Sequence, residues 1–428
     1  MTVTDGYSVD EPAVSAPRGA KTGFRSYEVY QRMRVRETTP LIKPRQLSSS
    51  AYLDDPFTLV EILRENYPCY RDWPGNAFWV TRYDDVTSVF VDEANYETRS
   101  RRWRSGLGDW ANDFGGDLAV RRHITTYADA HGEQVARELL GEMAAGTTRD
   151  LAIEVCARFP IRLLARILGV ADEHEERFAA AFLTMHRGVG WEPQARQAAR
   201  VAIDQLRELL RVHMDQGEGL AAVIAGLGGT VDDVVATLLE ADHETLHGGL
   251  ANMWSLLLTH PDQFEGIRSE PRLLKQAWAE TLRHSPPILS ADRFGRHEVE
   301  RFGRLLPDGA LLRCSAAAAN RDPRIFDHPD TFDLLRKDVC QREPRGTYRA
   351  DGLASGVSFG TGAPSKHPAV PEDRPRSAYA LTRDLAITVS RVLLDECPGI
   401  GLADDVAPVR RALRVGEVHT CWALPVRW

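Results

Sequence analysis

The stretch ETLR (280–283) places a glutamate and an arginine three residues apart in a segment with helical patterning. Residues three apart lie on one face of a helix, so the two side chains are within reach of an ion pair. The stretch ANRDPRIFDHPDTFDLLR (319–336) follows and ends in a second arginine, Arg336, and SFGTGAPSKHPAV (358–370) comes next. A glutamate–arginine pair alone indicates only a surface salt bridge. The order and the spacing of the three stretches therefore carry the fold prediction.

In this order and with these spacings, the three stretches resemble the cytochrome P450 family. The resemblance covers nearly the whole chain, from about residue 52 to its end. Further segments in the style of the family are TRYDDV (81–86), LLEADHET (238–245), THPDQ (259–263), RHSPP (283–287) and AANRDP (318–323). The resemblance implies the cytochrome P450 fold, a mostly α single domain with a small β region, over residues 23–428. It also implies that Glu280, Arg283 and Arg336 form a buried, structural charge network.

The apolar periodicity agrees with a mostly helical chain. Residues 118–283 carry apolar residues at a spacing of three to four almost throughout, and 231–258 predicts one long, central, buried helix. A further helix is predicted over 377–397, and short strands with ordered loops are predicted over 286–340. Residues 1–22 are polar and rich in Pro and Gly, which predicts a disordered tail.

The composition excludes several classes of function. The 428 residues are 27% charged and 43% hydrophobic, as in soluble globular proteins, and a net charge of −8 argues against nucleic acid as a partner. Six cysteines without CxxC spacing predict reduced thiols and a cytoplasmic location, not disulfides or a zinc site. No apolar run approaches the length of about 18 residues that a membrane span needs, and no signal peptide is recognisable.

The last of the three stretches departs from the family at the cofactor. The family holds haem iron through a cysteine thiolate in a loop of the pattern Phe-Gly-x-Gly-x-His/Arg-x-Cys-x-Gly. The chain keeps Phe359, Gly360 and Gly362 of this pattern, but Lys366 stands at the cysteine position. Because no cysteine lies between 341 and 396, a small shift of the alignment does not restore the ligand.

The positions around the missing cysteine are altered as well. Pro364 replaces the basic residue that would contact a haem propionate, and Pro368 replaces the glycine after the cysteine. Arg293 alone matches a propionate-binding position of the family. We therefore expect no cofactor and regard a thiolate-ligated haem as excluded. A haem held by His367 or Lys366 is the alternative that stays open.

The predicted central helix carries a second departure. The family reads Ala-Gly-x-Glu/Asp-Thr here, whereas this chain has Asp242 in place of the glycine and keeps the acid–alcohol pair Glu244–Thr245. On a continuous helix Asp242 and Thr245 share a face, so we expect a poorly solvated carboxylate with a raised pKa. Asp242, Glu244 and Thr245 are the candidate acid–base residues of a haem-independent enzyme that would use the vacated pocket.

The same segment also contains HETLH (243–247), which matches the zinc-binding pattern H-E-x-x-H. "HET" is common in the family at this position, and no third ligand is identifiable. His243 and His247 would also point away from the face that carries Thr245. We therefore expect no metal site here.

One basic cluster, RSRRWR (99–104), stands out in an acidic chain. It predicts either a solvated loop or a site for an anionic ligand or an acidic partner surface. Its candidate contact residues are Arg99, Arg101, Arg102, Trp103 and Arg104.

Three functions remain open, all in a bacterial secondary-metabolite pathway by association with the family. The family contains haem-free partners of glycosyltransferases in antibiotic biosynthesis, and other members recruit enzymes to carrier-bound intermediates. The first hypothesis is therefore a non-catalytic auxiliary protein, although the Gly-x-His-Trp stretch frequent in such partners is absent. The second is a haem-independent enzyme for cyclisation, dehydration or isomerisation, with a small-molecule ligand in the vacated pocket. The third is a haem oxidoreductase with a ligand other than cysteine.

Overall fold

The structure is a computed structural model whose described part is mostly helical with small sheets, as the sequence predicts. The described residues are 42–43, 46–99, 107, 117–143, 146–189, 193–341, 353–360, 376–403, 407–413 and 418–428. The predicted tail (1–22) lies outside them.

Helices make up most of these ranges. The α-helices are α1 (Ser50–Asp54), α2 (Pro56–Asn66), α3 (Tyr83–Phe90), α4 (Asp117–Gly141), α5 (Arg158–Leu168), α6 (Glu175–Arg187), α7 (Pro193–Gln216), α8 (Gly219–Gly226), α9 (Val231–Glu240), α10 (His243–Thr259), α11 (Pro261–Ser269), α12 (Leu274–His284), α13 (Ala316–Ala319) and α14 (Ala378–Glu396). Short 3₁₀ turns span Gln46–Ser48, Asp172–His174 and Pro271–Leu273, and a π-helical turn, Ala152–Ala157, precedes α5. Among the described residues, no helix combines the length and the apolar character that a membrane span requires.

The strands form four small sheets. They are β1 (Tyr70–Asp72), β2 (Ala77–Val80), β3 (Tyr96–Glu97), β4 (Arg149–Asp150), β5 (Ser290–Gly295), β6 (Val299–Arg301), β7 (Arg304–Leu306), β8 (Leu311–Ser315), β9 (Gly401–Leu402), β10 (Val409–Leu413), β11 (Val418–Ala423) and β12 (Pro425–Arg427). The largest sheet has the order β1-β2-β8-β5-β3, in which only the β2–β8 pair is parallel. The other sheets have the orders β10-β11, β4-β12-β9 and β6-β7.

The prediction of a single long helix over 231–258 is wrong in one respect, because the chain forms two helices there, α9 and α10. Ala241 has an extended backbone, with ψ of 124°, and Asp242 is the N-cap of α10. Asp242 accepts the amide hydrogen bond of Thr245 at 3.3 Å, so its side chain stabilises a new helix start. A capping side chain therefore overrides a periodicity that continues through the break.

The second half of this region is buried, as predicted for a central helix. Thirteen of the 17 residues of α10 are buried, and seven of them belong to the main hydrophobic core, which also includes residues of α4, α5 and α14. Helix α12 approaches α10 closely at Gly249, where an added Cβ would lie 2.3 Å from the Trp278 ring. On another side, Asn252 accepts a hydrogen bond from the Cys421 amide at 2.7 Å and donates to the His419 carbonyl at 3.0 Å. Asn252 thus fastens strand β11 to the central helix.

Candidate functional site

Helix α12 carries the charge network that the sequence singled out. Arg283 donates two hydrogen bonds to the carboxylate of Glu280, at 2.8 and 2.7 Å, and both side chains are fully buried. Nη1 of Arg336 lies 3.5 Å from the same carboxylate. The structure therefore brings all three predicted residues together. Arg336 also forms a two-pronged pair with Asp338, at 2.7 and 2.8 Å, a partner that the sequence analysis missed.

The network fixes the segment that precedes the cofactor loop, residues 359–368. Arg283 donates to the backbone carbonyls of Asn320, Pro329 and Thr331 at 3.1, 2.6 and 2.9 Å. The Asn320 side chain in turn accepts the Val357 amide hydrogen bond at 2.8 Å. Ser358 donates to the Leu282 carbonyl at 2.7 Å. The segment that leads into the loop is thus tied to the end of α12 by buried hydrogen bonds.

The described part of the cofactor loop ends at Gly360. The Phe359 ring packs edge-on against Tyr379 at the start of α14, with ring centroids 5.3 Å apart. Gly360 has a φ of +70° and donates its amide hydrogen bond to the Val357 carbonyl, a turn that favours glycine. A Cβ at Gly360 would lie 3.6 Å from Nη2 of Arg293. Five residues of the pattern lie outside the described residues: Gly362, Pro364, Lys366, His367 and Pro368.

Arg293, the predicted propionate partner, lies on β5 beside this turn. Its guanidinium donates to the Asp292 carbonyl at 2.9 Å and stacks over the Phe90 ring, 4.6 Å from the ring centroid. Burial lowers the pKa of Arg293, although the Asp292 carboxylate and the Cys314 thiol act in the opposite direction. In the described part of the chain, no carboxylate forms an ion pair with Arg293. Its side chain would suit an anionic group of a ligand.

The candidate acid–base residues lie at the break between α9 and α10. The Thr245 hydroxyl donates to the Asp242 carboxylate at 2.5 Å. Asp242 is exposed, whereas Thr245 is buried and Glu244 is partly buried in the first turn of α10. The expected burial of Asp242 is therefore wrong, because a helix N-cap leaves its carboxylate at the end of the helix and not on a packed face.

The two histidines of HETLH lie in the first turns of α10. His243 is buried, and its ring packs against Phe182 and His186 at centroid distances of 4.8 and 4.7 Å. His247 is half-buried, and desolvation lowers its pKa to about 4. Among the described residues, no group of three His, Cys, Asp or Glu side chains is arranged to bind a metal ion.

The basic cluster is described only at its first residue. Arg99 donates to Glu97 at 2.7 Å and stacks over the Phe294 ring, 4.4 Å from the centroid. A guanidinium with a carboxylate partner of its own is a weaker anion ligand than an unpaired one. The remaining predicted contact residues lie outside the described residues: Arg101, Arg102, Trp103 and Arg104.

The residues of this loop do not fit a thiolate-ligated haem. Among the cysteines, Cys340 and Cys397 flank the loop in sequence. Cys340 donates its amide hydrogen bond to the Ala354 carbonyl, and Cys397 is the buried C-cap of α14. The four other cysteines are buried elsewhere: Cys69, Cys156, Cys314 and Cys421. Arg293, predicted as a propionate partner, thus lies beside a loop whose sequence contains no cysteine.

Comparison with known proteins agrees with the fold. No protein-family model matches the chain. The chain is 26% identical over 417 residues to 6-deoxyerythronolide B hydroxylase of Saccharopolyspora erythraea, a match that covers 92% of this chain and 94% of the relative. It is 31% identical over 215 residues to cytochrome P450 107B1 of the same organism, where it spans about half of the relative (53%) and 48% of this chain. It is also 31% identical over 287 residues to Protein DesVIII of Streptomyces venezuelae, covering 65% of this chain and 62% of the relative.

The structural neighbours are P450 proteins as well. CalO2 superposes with a TM-score of 0.70 at 23% identity, over 90% of this chain and 98% of that one. P450BioI, solved in complex with an acyl carrier protein ligated to hexadec-9Z-enoic acid, has a TM-score of 0.70 at 20% identity, over 89% of this chain and 100% of that one. The chain therefore has the cytochrome P450 fold. Among the relatives, cytochrome P450 107B1 bears the name of the family that the sequence resembles.

Proposed function

We propose that this chain is a haem-free P450-fold protein of a bacterial secondary-metabolite pathway that activates another enzyme without catalysing a reaction itself. One observation carries the proposal: Lys366 stands at the thiolate position of a loop whose supports are intact. The buried pair of Glu280 and Arg283 and the hydrogen bonds of Asn320 still hold the residues before Gly360. Loss of the ligand together with retention of the scaffold favours a role that needs the fold and not the cofactor.

Two of the compared proteins, P450BioI and Protein DesVIII, support the class of partner that we propose. P450BioI was solved with a carrier protein, so a P450 surface can dock a partner that presents a bound intermediate. Protein DesVIII carries a name that states no reaction, unlike the hydroxylase. We propose a glycosyltransferase or a carrier-protein-linked enzyme as the partner, and a cytoplasmic location for both.

Absorption spectroscopy tests the haem-free state. The full chain is expressed with a haem precursor, purified, and compared with 6-deoxyerythronolide B hydroxylase made in the same cells. We expect a Soret band for the hydroxylase and none for this chain as purified, and titration of this chain with haemin should give only the spectrum of free haemin. A stoichiometric Soret band in this chain would support a haem held by His367 or Lys366 and would overturn the haem-free proposal.

An activation assay tests the auxiliary role. The turnover of a glycosyltransferase or carrier-linked enzyme that co-purifies with this chain is measured with and without the purified chain. We expect activation at a stoichiometric ratio, and the Asp242→Asn variant should activate as well as the unaltered chain. Absence of both complex formation and activation would contradict the proposal.

The exposed Asp242 carboxylate, hydrogen-bonded to the Thr245 hydroxyl, favours a second candidate function. In a haem-independent enzyme this carboxylate would transfer a proton during cyclisation, dehydration or isomerisation of a ligand. Asp242→Asn keeps an acceptor for the Thr245 amide but removes the base. Substrate turnover that disappears in this variant, with folding retained, would favour the enzyme over the auxiliary protein.

A further inference from the structure

The hairpin formed by β10 and β11 presents two basic side chains on one face. Arg410 pairs with Cys421, and Ala412 pairs with His419, across the antiparallel ladder. Residues two apart on a strand point to the same face, so Arg410 and His419 are diagonal neighbours there. Hydrogen bonds of Asn252 fix the backbone of β11 to helix α10, so the hairpin lies beside this helix.

Arg410 has no counterion among the residues that the structure describes. Its Nη2 lies 3.4 Å from the Ser255 hydroxyl of α10, and no carboxylate of the described ranges forms an ion pair with it. Burial lowers the pKa of Arg410, and the Cys421 thiol is the titratable group that opposes this shift. Burial also raises the pKa of that thiol, so Cys421 is neutral and supplies no charge. A largely buried guanidinium of this kind is stabilised by an anion.

The imidazole of His419 is buried, and its hydrogen-bonding capacity is unused among the described residues. The residue is 2% exposed, and within the described part of the chain neither ring nitrogen has a hydrogen-bond partner. Burial, together with the cations Arg410 and Arg321, lowers the pKa of His419 to about 4, against the weaker opposite effect of the Asp55 carboxylate and the Asp54 carbonyl. The ring is therefore neutral at neutral pH and retains an N–H donor for a ligand.

The Phe57 ring separates His419 from a cavity of about 240 Å³ whose lining includes the carboxylates of Asp55, Glu61 and Asp330, so that cavity is distinct from the face of Arg410. The His419 ring meets Phe57 edge-on, with centroids 5.6 Å apart, and Arg321 stacks over the same Phe57 at 3.6 Å. Arg321 is already paired, with Asp330 at 3.2 Å and with the His284 carbonyl at 2.9 Å. Of the two arginines that act on His419, Arg410 is thus the one that forms no ion pair with a described carboxylate.

We propose that Arg410, Ser255 and His419 form a binding site for an oxyanion, the carboxylate or phosphate group of a small molecule. The guanidinium supplies charge and directed N–H donors, the Ser255 hydroxyl donates a hydrogen bond, and the imidazole N–H donates another. The anion would neutralise the charge of Arg410 and would accept a hydrogen bond from the His419 imidazole. The site lies on residues outside the cofactor loop and does not depend on the function proposed above.

Calorimetric titration of the full chain tests the site with two probes, inorganic phosphate and acetate, at constant ionic strength and neutral pH. We expect saturable binding of at least one anion and a loss of at least about tenfold in affinity in Arg410→Gln. The control Arg296→Gln removes an exposed arginine that is 3.3 Å from Glu97 and should bind like the unaltered chain. Tighter phosphate binding would identify a phosphate-bearing ligand, and tighter acetate binding a carboxylate.

An NMR titration of the unaltered chain keeps the test independent of how well Arg410→Gln folds. A bound anion beside His419 favours the protonated ring, so the preferred probe should raise the pKa of His419 by about one unit or more. Equal affinity of Arg410→Gln and the unaltered chain would overturn the proposal. Absence of saturable binding for both probes, or an unchanged His419 titration in their presence, would overturn it as well.

Discussion

The hydroxyl of Thr245 donates to the carboxylate of Asp242 at 2.5 Å, and the Thr245 amide donates to the same carboxylate at 3.3 Å. Two donors from the first turn of α10 thus converge on one side chain. The pair ends a helical run at Glu240 and starts a new helix at His243. Asp242 therefore has a structural role that is independent of any reaction.

Removing this cap should destabilise the protein without unfolding it. For Asp242→Ala we expect a decrease of about 1 kcal/mol in the free energy of unfolding, because one N-cap acceptor is lost. Asp242→Asn retains an acceptor oxygen and should lose less. Urea unfolding followed by circular dichroism measures both, with Asp308→Asn in an exposed turn as the control. Equal stability of Asp242→Ala and the unaltered chain would contradict the capping role.

The contact between α10 and α12 at Gly249 leaves no room for a methyl group. An added Cβ would lie 2.3 and 2.7 Å from two atoms of the Trp278 ring, and the ring is fully buried. We expect Gly249→Ala to lower the free energy of unfolding by about 1–3 kcal/mol, the usual cost of overpacking a core. Thermal and urea unfolding would measure the loss.

Two further variants show whether the Trp278 ring is the cause. Trp278→Leu in the Gly249→Ala background should recover part of the lost stability, so the two substitutions should be non-additive. Gly266→Ala is the matched control in α11, since the nearest atom to its added Cβ is 3.9 Å away. That control should be neutral or stabilising by up to about 1 kcal/mol, because alanine favours the helix. Equal losses at both glycines would argue against a specific clash.

The pairing of Glu280 with Arg283 was predictable, because a spacing of three residues on a helix nearly dictates it. The break at Asp242 was not. Apolar residues continue at helical spacing on both sides of it, so the periodicity gives no sign of an interruption. Only the backbone path, turned at Ala241 and capped by Asp242, shows that two helices replace one.

Partners that are distant in sequence escaped prediction for a different reason. Arg410 and Ser255 are 155 residues apart, and the Asn252 side chain meets a strand 169 residues away. No local pattern records such a contact, because it depends on how the terminal hairpin docks on α10. The resemblance to a family predicted the position of Arg336 but not its partner Asp338, two residues further on.

Breaking the charge network at its centre should be costly. Glu280→Gln would leave the Arg283 guanidinium, 0% exposed, without its anion. We expect a loss of about 3–5 kcal/mol in the free energy of unfolding, because a buried unpaired charge is poorly compensated. The control Arg177→Gln breaks an exposed pair with Glu208 and should cost at most about 1 kcal/mol. Comparable losses in the two variants would show that burial of the network contributes nothing.

Buried neutral histidines predict that the protein loses stability in mild acid. Burial lowers the pKa of His419 to about 4 and that of His284 to about 2, from an ordinary value of 6.5. Between these values the unfolded chain binds protons that the folded chain does not, so the free energy of unfolding falls as the pH falls. Each such histidine contributes a slope of up to about 1.4 kcal/mol per pH unit, beginning near pH 6.5 and ending near its folded pKa.

Urea unfolding at a series of pH values between neutrality and pH 4 measures this slope, and a single substitution assigns part of it. His419→Gln removes one titrating ring, so its free energy of unfolding should fall less steeply with decreasing pH, by up to about one proton's contribution. His297→Gln, at an exposed histidine on the surface, should retain the full slope. Because the two variants delete the same kind of group, a difference between them isolates burial as the cause. Parallel curves for both variants and the unaltered chain would mean that His419 titrates alike in the folded and unfolded chain.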